Sequence, residues 1–234
     1  VLDELLARAR DDENVMGVVV HGSRGRGLHV HDGSDWDVIV VVREPAGHYD
    51  SERGGELEAF ELTSIAQLPK WMLPAVTWTT PALDKTGEVA AQLAEVTTVD
   101  PATAAEPLDA YVNSYYRSAK NARTGLELAA LLDAQESIPY YLDFVFAAHG
   151  RVRPYNKWLE WELREHPLPV PLDLVRLERI ALTGDLDEQR ALFRDTEALA
   201  RSLGHGSTID GWEPDVAWLR GEAKLPDSSS RLAR

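Results

Sequence analysis

The chain has 234 residues, with 24 Lys and Arg against 39 Asp and Glu, a formal net charge of −15 and no cysteine. The lack of cysteine excludes a disulfide framework, a Cys-ligated zinc and a thiol nucleophile. The acidic excess disfavours tracking of a nucleic-acid backbone, which calls for a basic face, and no apolar stretch reaches the ~20 residues that span a bilayer.

The opening stretch, Val1 to Arg10, carries Leu2, Leu5, Leu6 and Ala9 at helical spacing. Val15, Val18, Val19 and Val20 then form a β-branched run ending at His21-Gly22-Ser23-Arg24-Gly25-Arg26-Gly27. Eleven residues after Ser23 the chain reads Ser34-Asp35-Trp36-Asp37, followed by the strand-like run Val38 to Val42. A Gly-Ser turn at a strand end can turn backbone N–H groups toward a phosphate. Asp35 and Asp37, two apart at the start of the next strand, project to one face. Two carboxylates side by side call for a counter-charge, and Mg²⁺, which takes oxygen ligands from carboxylates and phosphates, is the natural one. Together the two motifs predict chemistry on a nucleoside triphosphate. His29-Val30-His31-Asp32 lacks a convincing fourth ligand for a zinc site.

Gly22-Ser23, the short gap and Asp35-Trp36-Asp37 resemble the nucleotidyltransferase superfamily typified by DNA polymerase β and kanamycin nucleotidyltransferase. The resemblance covers roughly the first 70 residues, and Arg24 within Gly-Ser-Arg-Gly-Arg-Gly adds to it as a nucleotide contact. It implies a third carboxylate on a neighbouring strand. The segment Gly54 to Leu62 is the candidate strand, and Glu58, near its middle, is the choice over Glu56 and Glu61. Asp35, Asp37 and Glu58 are thus the expected metal ligands. A further short strand is expected around Val76-Thr77-Trp78.

The character changes near residue 100. Residues 97–108 read as a linker, separating a nucleotidyltransferase domain over 1–98 from an α-helical domain over 109–224. The predicted class is α+β: a short mixed sheet with flanking helices, then a helical bundle. Tyr111, Tyr115, Ala119, Ala122, Leu126, Ala129 and Ala130 keep a helical period. Ser137-Ile138-Pro139 reads as a helix restart with Pro in the first turn. Asp185 to Leu203 forms another amphipathic helix, and the residues from Leu225 onward a frayed tail.

Two cationic clusters stand against the acidic background: Arg117, Lys120 and Arg123, and Arg151, Arg153 and Lys157. Such charge can neutralise a triphosphate and the departing pyrophosphate. Lys120 and Lys157 are the expected phosphate contacts, with Tyr155 as a stacking or ribose contact. Trp158 and Trp161 are assigned to packing, with an acceptor pocket as the alternative. The resemblance further implies a base from the helical part, for which Glu136 is the candidate and Asp133 the alternative, with Glu58 in reserve.

The expected activity is Mg²⁺-dependent transfer of AMP from ATP to a hydroxyl of a small cationic acceptor of the aminoglycoside type, with release of pyrophosphate. The acidic surface favours a cationic acceptor over a polyanion. A protein- or RNA-directed transferase and an antitoxin-like interaction module are the alternatives. A monomer or homodimer acting in the cytoplasm, without a membrane partner, is expected.

Overall fold

A computed structural model of the chain describes residues 1–51 and 55–222. Gly54, which opens the predicted third strand, and the tail from Leu225 lie outside the described residues. The chain divides into two compact units, Val1–Thr98 with Pro154–Glu162, and Val99–Arg153 with Leu163–Arg234.

The first unit begins with α1 (Leu2–Asp11), whose Leu5 and Ala9 are buried. Strand β1 (Val15–His21) leads directly into the short helix α2 (Gly22–Arg26), and β2 (Trp36–Val42) returns antiparallel to β1. β3 (Leu57–Leu62) lies parallel to β2 on its far side. After α3 (Leu73–Val76), the two-residue strand β4 (Leu83–Asp84) pairs antiparallel with β1, giving the sheet order β3-β2-β1-β4. Helix α4 (Glu88–Val96) follows.

Alternation along the β-branched runs decides the two faces of this sheet. Val18, Val20, Val38 and Val40 face one core with Leu5 and Ala9 of α1. Val19, Ile39 and Val41 face the other, with Ile65, Val76, Val89 and Leu93. Each fully buried Val or Ile contributes about 1.5–3 kcal/mol by leaving water. This two-sided burial explains why the central strands read as continuous apolar runs.

Three expectations are corrected here. The stretch Val76-Thr77-Trp78 is not a strand: Val76 ends α3, and Trp78 has φ +60, outside the extended region. The fourth strand forms at Leu83–Asp84 instead. The predicted linker is largely structured, since Pro101–Ala104 form a 3₁₀ turn and Leu108 is buried within the helix α5 (Ala105–Arg123).

The third correction concerns Pro139, which lies inside the uninterrupted helix α6 (Glu127–Ala148) rather than at a restart. An internal proline costs about 3 kcal/mol. Buried Ala130, Ala134, Ser137, Tyr141, Leu142 and Phe144 on both sides of it supply more than that by packing. Thr124, Gly125 and Leu126 join α5 to α6.

Residues Pro154–Glu162 return to the first unit. They place Trp158 in its core, 1% exposed, and begin α7 (Leu159–Glu165). The second unit continues with α8 (Leu174–Thr183), α9 (Leu186–Ser202), α10 (Gly206–Asp210) and α11 (Asp215–Leu219). α9 covers the amphipathic segment expected there, and the Asp185 side chain caps it by accepting from the backbone N–H groups of Asp187 and Glu188. Tyr111, Tyr115, Phe144 and Phe193 fill the core of this unit. No helix among the described residues is long and apolar enough to cross a membrane.

Candidate active site

Three strand ends assemble the site. In the register of the sheet, His21 of β1 lies opposite Asp37 of β2, and Asp37 lies opposite Glu58 of β3. Cross-strand partners project to the same face, so these residues form a row across one edge of the sheet. Asp35, two residues before Asp37, joins the row from the incoming loop. One carboxylate oxygen from each of Asp35, Asp37 and Glu58 lies within 4.8 Å of the other two.

Gly22 is what lets the chain turn here. Its φ of +69 is a left-handed conformation that disfavours any Cβ, and a Cβ built there would sit 1.9 Å from Oδ2 of Asp37. The backbone that enters α2 is thereby pressed against the carboxylate row.

The loop carrying the aspartates is pinned by Arg24. Its Nε donates to the carbonyl of Ser34 at 2.8 Å, and its guanidinium lies over the Trp36 ring, 4.9 Å from the centroid. Arg24, expected at the nucleotide, is thus engaged in holding the segment on either side of Asp35.

The returning segment supplies the cation. Lys157 Nζ donates to Ser23 Oγ at 3.1 Å and lies 4.8 Å from the Trp158 ring. Arg26 of α2 fixes this segment, its guanidinium lying over both Trp158 and Trp161, at 4.3 and 5.3 Å. Tyr155 donates its hydroxyl to the carbonyl of Trp71 at 2.7 Å, and its ring stands 5.3 Å from Trp158. Asp37, Glu58, Phe60, Trp71, Tyr155 and Lys157 are among the residues lining a cleft of about 740 Å³.

Electrostatics in the row are those of crowded like charge. Asp37 has its pKa pushed up to about 6, first by burial and then by Asp35 and Glu58, with Lys157 opposing. Three hard oxygen donors whose charge outweighs their surroundings fit a divalent cation such as Mg²⁺. His21 differs from its neighbours. It is 4% exposed, and neither ring nitrogen has a hydrogen-bond partner among the described residues. Burial lowers its pKa to about 4, against the pull of Asp35, so the ring is neutral near pH 7.

The first unit therefore gathers Gly22, Ser23, Arg24, Asp35, Asp37, Glu58, Tyr155 and Lys157. Glu56 and Glu61, the alternatives to Glu58, are occupied differently. The Glu56 carbonyl accepts from the Trp36 N–H at 2.9 Å, while its side chain is exposed. The Glu61 carboxylate accepts from the backbone N–H groups of Ala46, Gly47 and Tyr49 at 2.7–3.0 Å. His31 Nδ1 accepts from the Gly33 N–H at 3.1 Å, an ordinary loop contact.

Lys120 and Glu136 belong to the second unit. Lys120 is exposed on α5, and Glu136 on α6 is hydrogen-bonded and ion-paired with Arg117. The same guanidinium lies 3.3 Å from Asp133.

No curated protein matches the sequence. Among solved structures, the chain is similar to a nucleotidyltransferase-like protein from Exiguobacterium sibiricum 255-15, with 11% identity over 88% of this chain and 76% of that one and a TM-score of 0.48. Residues 2–74, the stretch that carries Gly22, Ser23, Asp35, Asp37 and Glu58, match the family model of the nucleotidyltransferase domain.

Proposed function

We propose that the chain is a Mg²⁺-dependent nucleotidyltransferase that moves AMP from ATP onto a hydroxyl of a small cationic acceptor, such as an aminoglycoside, and releases pyrophosphate. The observation that carries this reading is the convergence of Asp35, Asp37 and Glu58 within 4.8 Å, beside a Gly-Ser turn whose serine is held by Lys157.

In this reading Asp35, Asp37 and Glu58 hold the metal. Mg²⁺, when bound there, supplies charge neutralisation and Lewis acidity toward phosphate oxygens. The Gly22-Ser23 turn offers its backbone to the phosphates, and the absence of a Cβ at Gly22 leaves the Asp37 carboxylate in place beside it. A carboxylate takes the proton of the acceptor hydroxyl as its oxygen forms the new bond to the α-phosphorus. The bond from that phosphorus to pyrophosphate breaks on the opposite side, and Lys157 offsets the charge of the leaving group. Glu136 is the proposed base, with Asp133 and Glu58 as alternatives. Lys120 is a second proposed phosphate contact, and Tyr155 offers a ring beside the nucleotide. The net charge of −15 draws a cationic acceptor toward the protein and repels a polyanion.

The test is incubation with Mg²⁺, each of the four NTPs and a panel of aminoglycosides and related hydroxylated amines, read by pyrophosphate release and product mass. A mass gain of one nucleotide on one acceptor, lost in Asp37→Asn, is the expected result. Nucleotide binding without product across the panel would refute the small cationic acceptor and direct the search to a protein substrate.

A further inference from the structure

His21 occupies a position whose pattern calls for an apolar residue. It ends the run Val18-Val19-Val20, and it shares a sheet face with Val19 and Ile39, which pack in the core beneath it. A neutral imidazole has one donor and one acceptor to satisfy. Here both are withdrawn from water without a partner among the described residues, although His21 lines the cleft together with Gly22, Asp37 and Glu58. A buried polar group left unpaired destabilises the fold that contains it, and a group so placed calls for a specific explanation.

We infer that His21 is a nucleotide-binding residue whose imidazole hydrogen-bonds an oxygen of the nucleotide held in the cleft. The inference rests on the nucleotidyltransferase reading. Two observations direct the ring to the nucleotide rather than to the acceptor or the metal. His21 immediately precedes Gly22-Ser23, the turn assigned to the phosphates, and Lys157 marks the continuation of that path by its contact with Ser23. The carboxylate cluster suited to a cation consists of Asp35, Asp37 and Glu58, without a contribution from His21. His21 thus completes the row from β1, adding a hydrogen-bonding ring where β2 and β3 supply negative charge.

The experiment compares wild type, His21→Phe and His21→Gln in thermal melts without ligand and with each Mg-NTP, and in calorimetric titrations with the same Mg-NTPs. Phe fills the site without polar atoms, while Gln keeps a donor and an acceptor. The Phe variant is expected to melt at or above the wild-type temperature without nucleotide, yet to bind Mg-NTP about tenfold more weakly. The Gln variant is expected to recover part of that affinity. Titration with Mg-tripolyphosphate separates the two sources of oxygen: a matching loss places the contact on the phosphates, and a loss confined to Mg-NTP places it on the sugar.

Unchanged Mg-NTP affinity in His21→Phe would overturn the inference and leave the nucleotidyltransferase reading intact. A Phe variant that melts well below wild type, or does not fold, would overturn it as well, by making His21 a structural residue. A wild-type protein that binds no Mg-NTP would remove the underlying reading, and the inference with it.

Discussion

The replacement Gly22→Ala separates backbone strain from damage to the carboxylate row, because Gly27, which caps the C-terminal end of α2, provides a control. Gly22 and Gly27 have φ values of +69 and +66, so alanine at either site meets the same left-handed penalty, about 1–2 kcal/mol. Beyond that the two sites differ. A Cβ at Gly27 meets nothing within 4 Å, whereas one at Gly22 falls 1.9 Å from Oδ2 and 2.9 Å from Cγ of Asp37. The Asp37 backbone is held in register with both His21 and Glu58, so the side chain must give way. A carboxylate that close has to swing by about 1 Å or more to restore ordinary contact.

Gly27→Ala should therefore lose about 1–2 kcal/mol, a fall in melting temperature of roughly 2–8 °C for a chain of this size, and Gly22→Ala at least as much. Only Gly22→Ala should also weaken binding of Mn²⁺, used as a spectroscopic substitute for Mg²⁺, by about 10–100-fold. Chemical denaturation measures the first quantity, and electron paramagnetic resonance titration the second. Equal Mn²⁺ affinity in the two variants would refute the argument that Gly22 exists to keep Asp37 in place.

Lys157→Ala should leave the melting temperature nearly unchanged, since the side chain is exposed, and raise KM for the NTP about tenfold through loss of a charged phosphate contact. Steady-state kinetics with the NTP varied checks this, and an effect confined to the acceptor KM would contradict it. The Glu61 carboxyl is held below its ordinary pKa of 4.5: burial would raise it, but the backbone N–H groups of Ala46, Gly47 and Tyr49 outweigh that effect. A depressed pKa contributes stability that is present above the unfolded value and lost as pH falls through the folded one. Glu61→Gln should thus be less stable than wild type near neutral pH, with the gap closing on acidification. Melts across a pH series would show a constant gap if the carboxylate charge were irrelevant.

Much of the site could be read from the sequence because its parts are local. Gly22-Ser23 and Asp35-x-Asp37 sit at the ends of β-branched runs, and a period of two places both aspartates on one face. The family resemblance implies a third carboxylate, Glu58 is the choice over Glu56 and Glu61 for its place in the candidate strand, and the parallel register sets Glu58 opposite Asp37. Where tertiary forces decide, the pattern fell short. Pro139 remains inside α6 because packing on both sides outweighs a local rule. Trp78 adopts a left-handed conformation while its Nε1 donates to Glu162 at 2.8 Å, a partner 84 residues away that no local window contains. His21 was legible only as the end of a valine run. A polar residue in a position reserved for burial was the available signal, and burial itself comes from three strands meeting.

The path of the backbone through Pro154–Glu162 also sets the order in which the first unit can be completed during synthesis. Its sheet and the Gly-Ser turn lie within the first 98 residues, but Trp158 and Lys157 come only after another 55 residues, Val99–Arg153, that belong elsewhere. A nascent chain emerging from the ribosome can thus pair its strands early, yet Arg26 waits for the indole rings that will cover its guanidinium. The entropy of closing so long a loop grows only slowly with its length, so the delay is one of timing more than of free energy. A fragment cut after residue 98 would carry the carboxylate row without the lysine at Ser23, and the fully equipped cleft is a late event in the life of each new molecule.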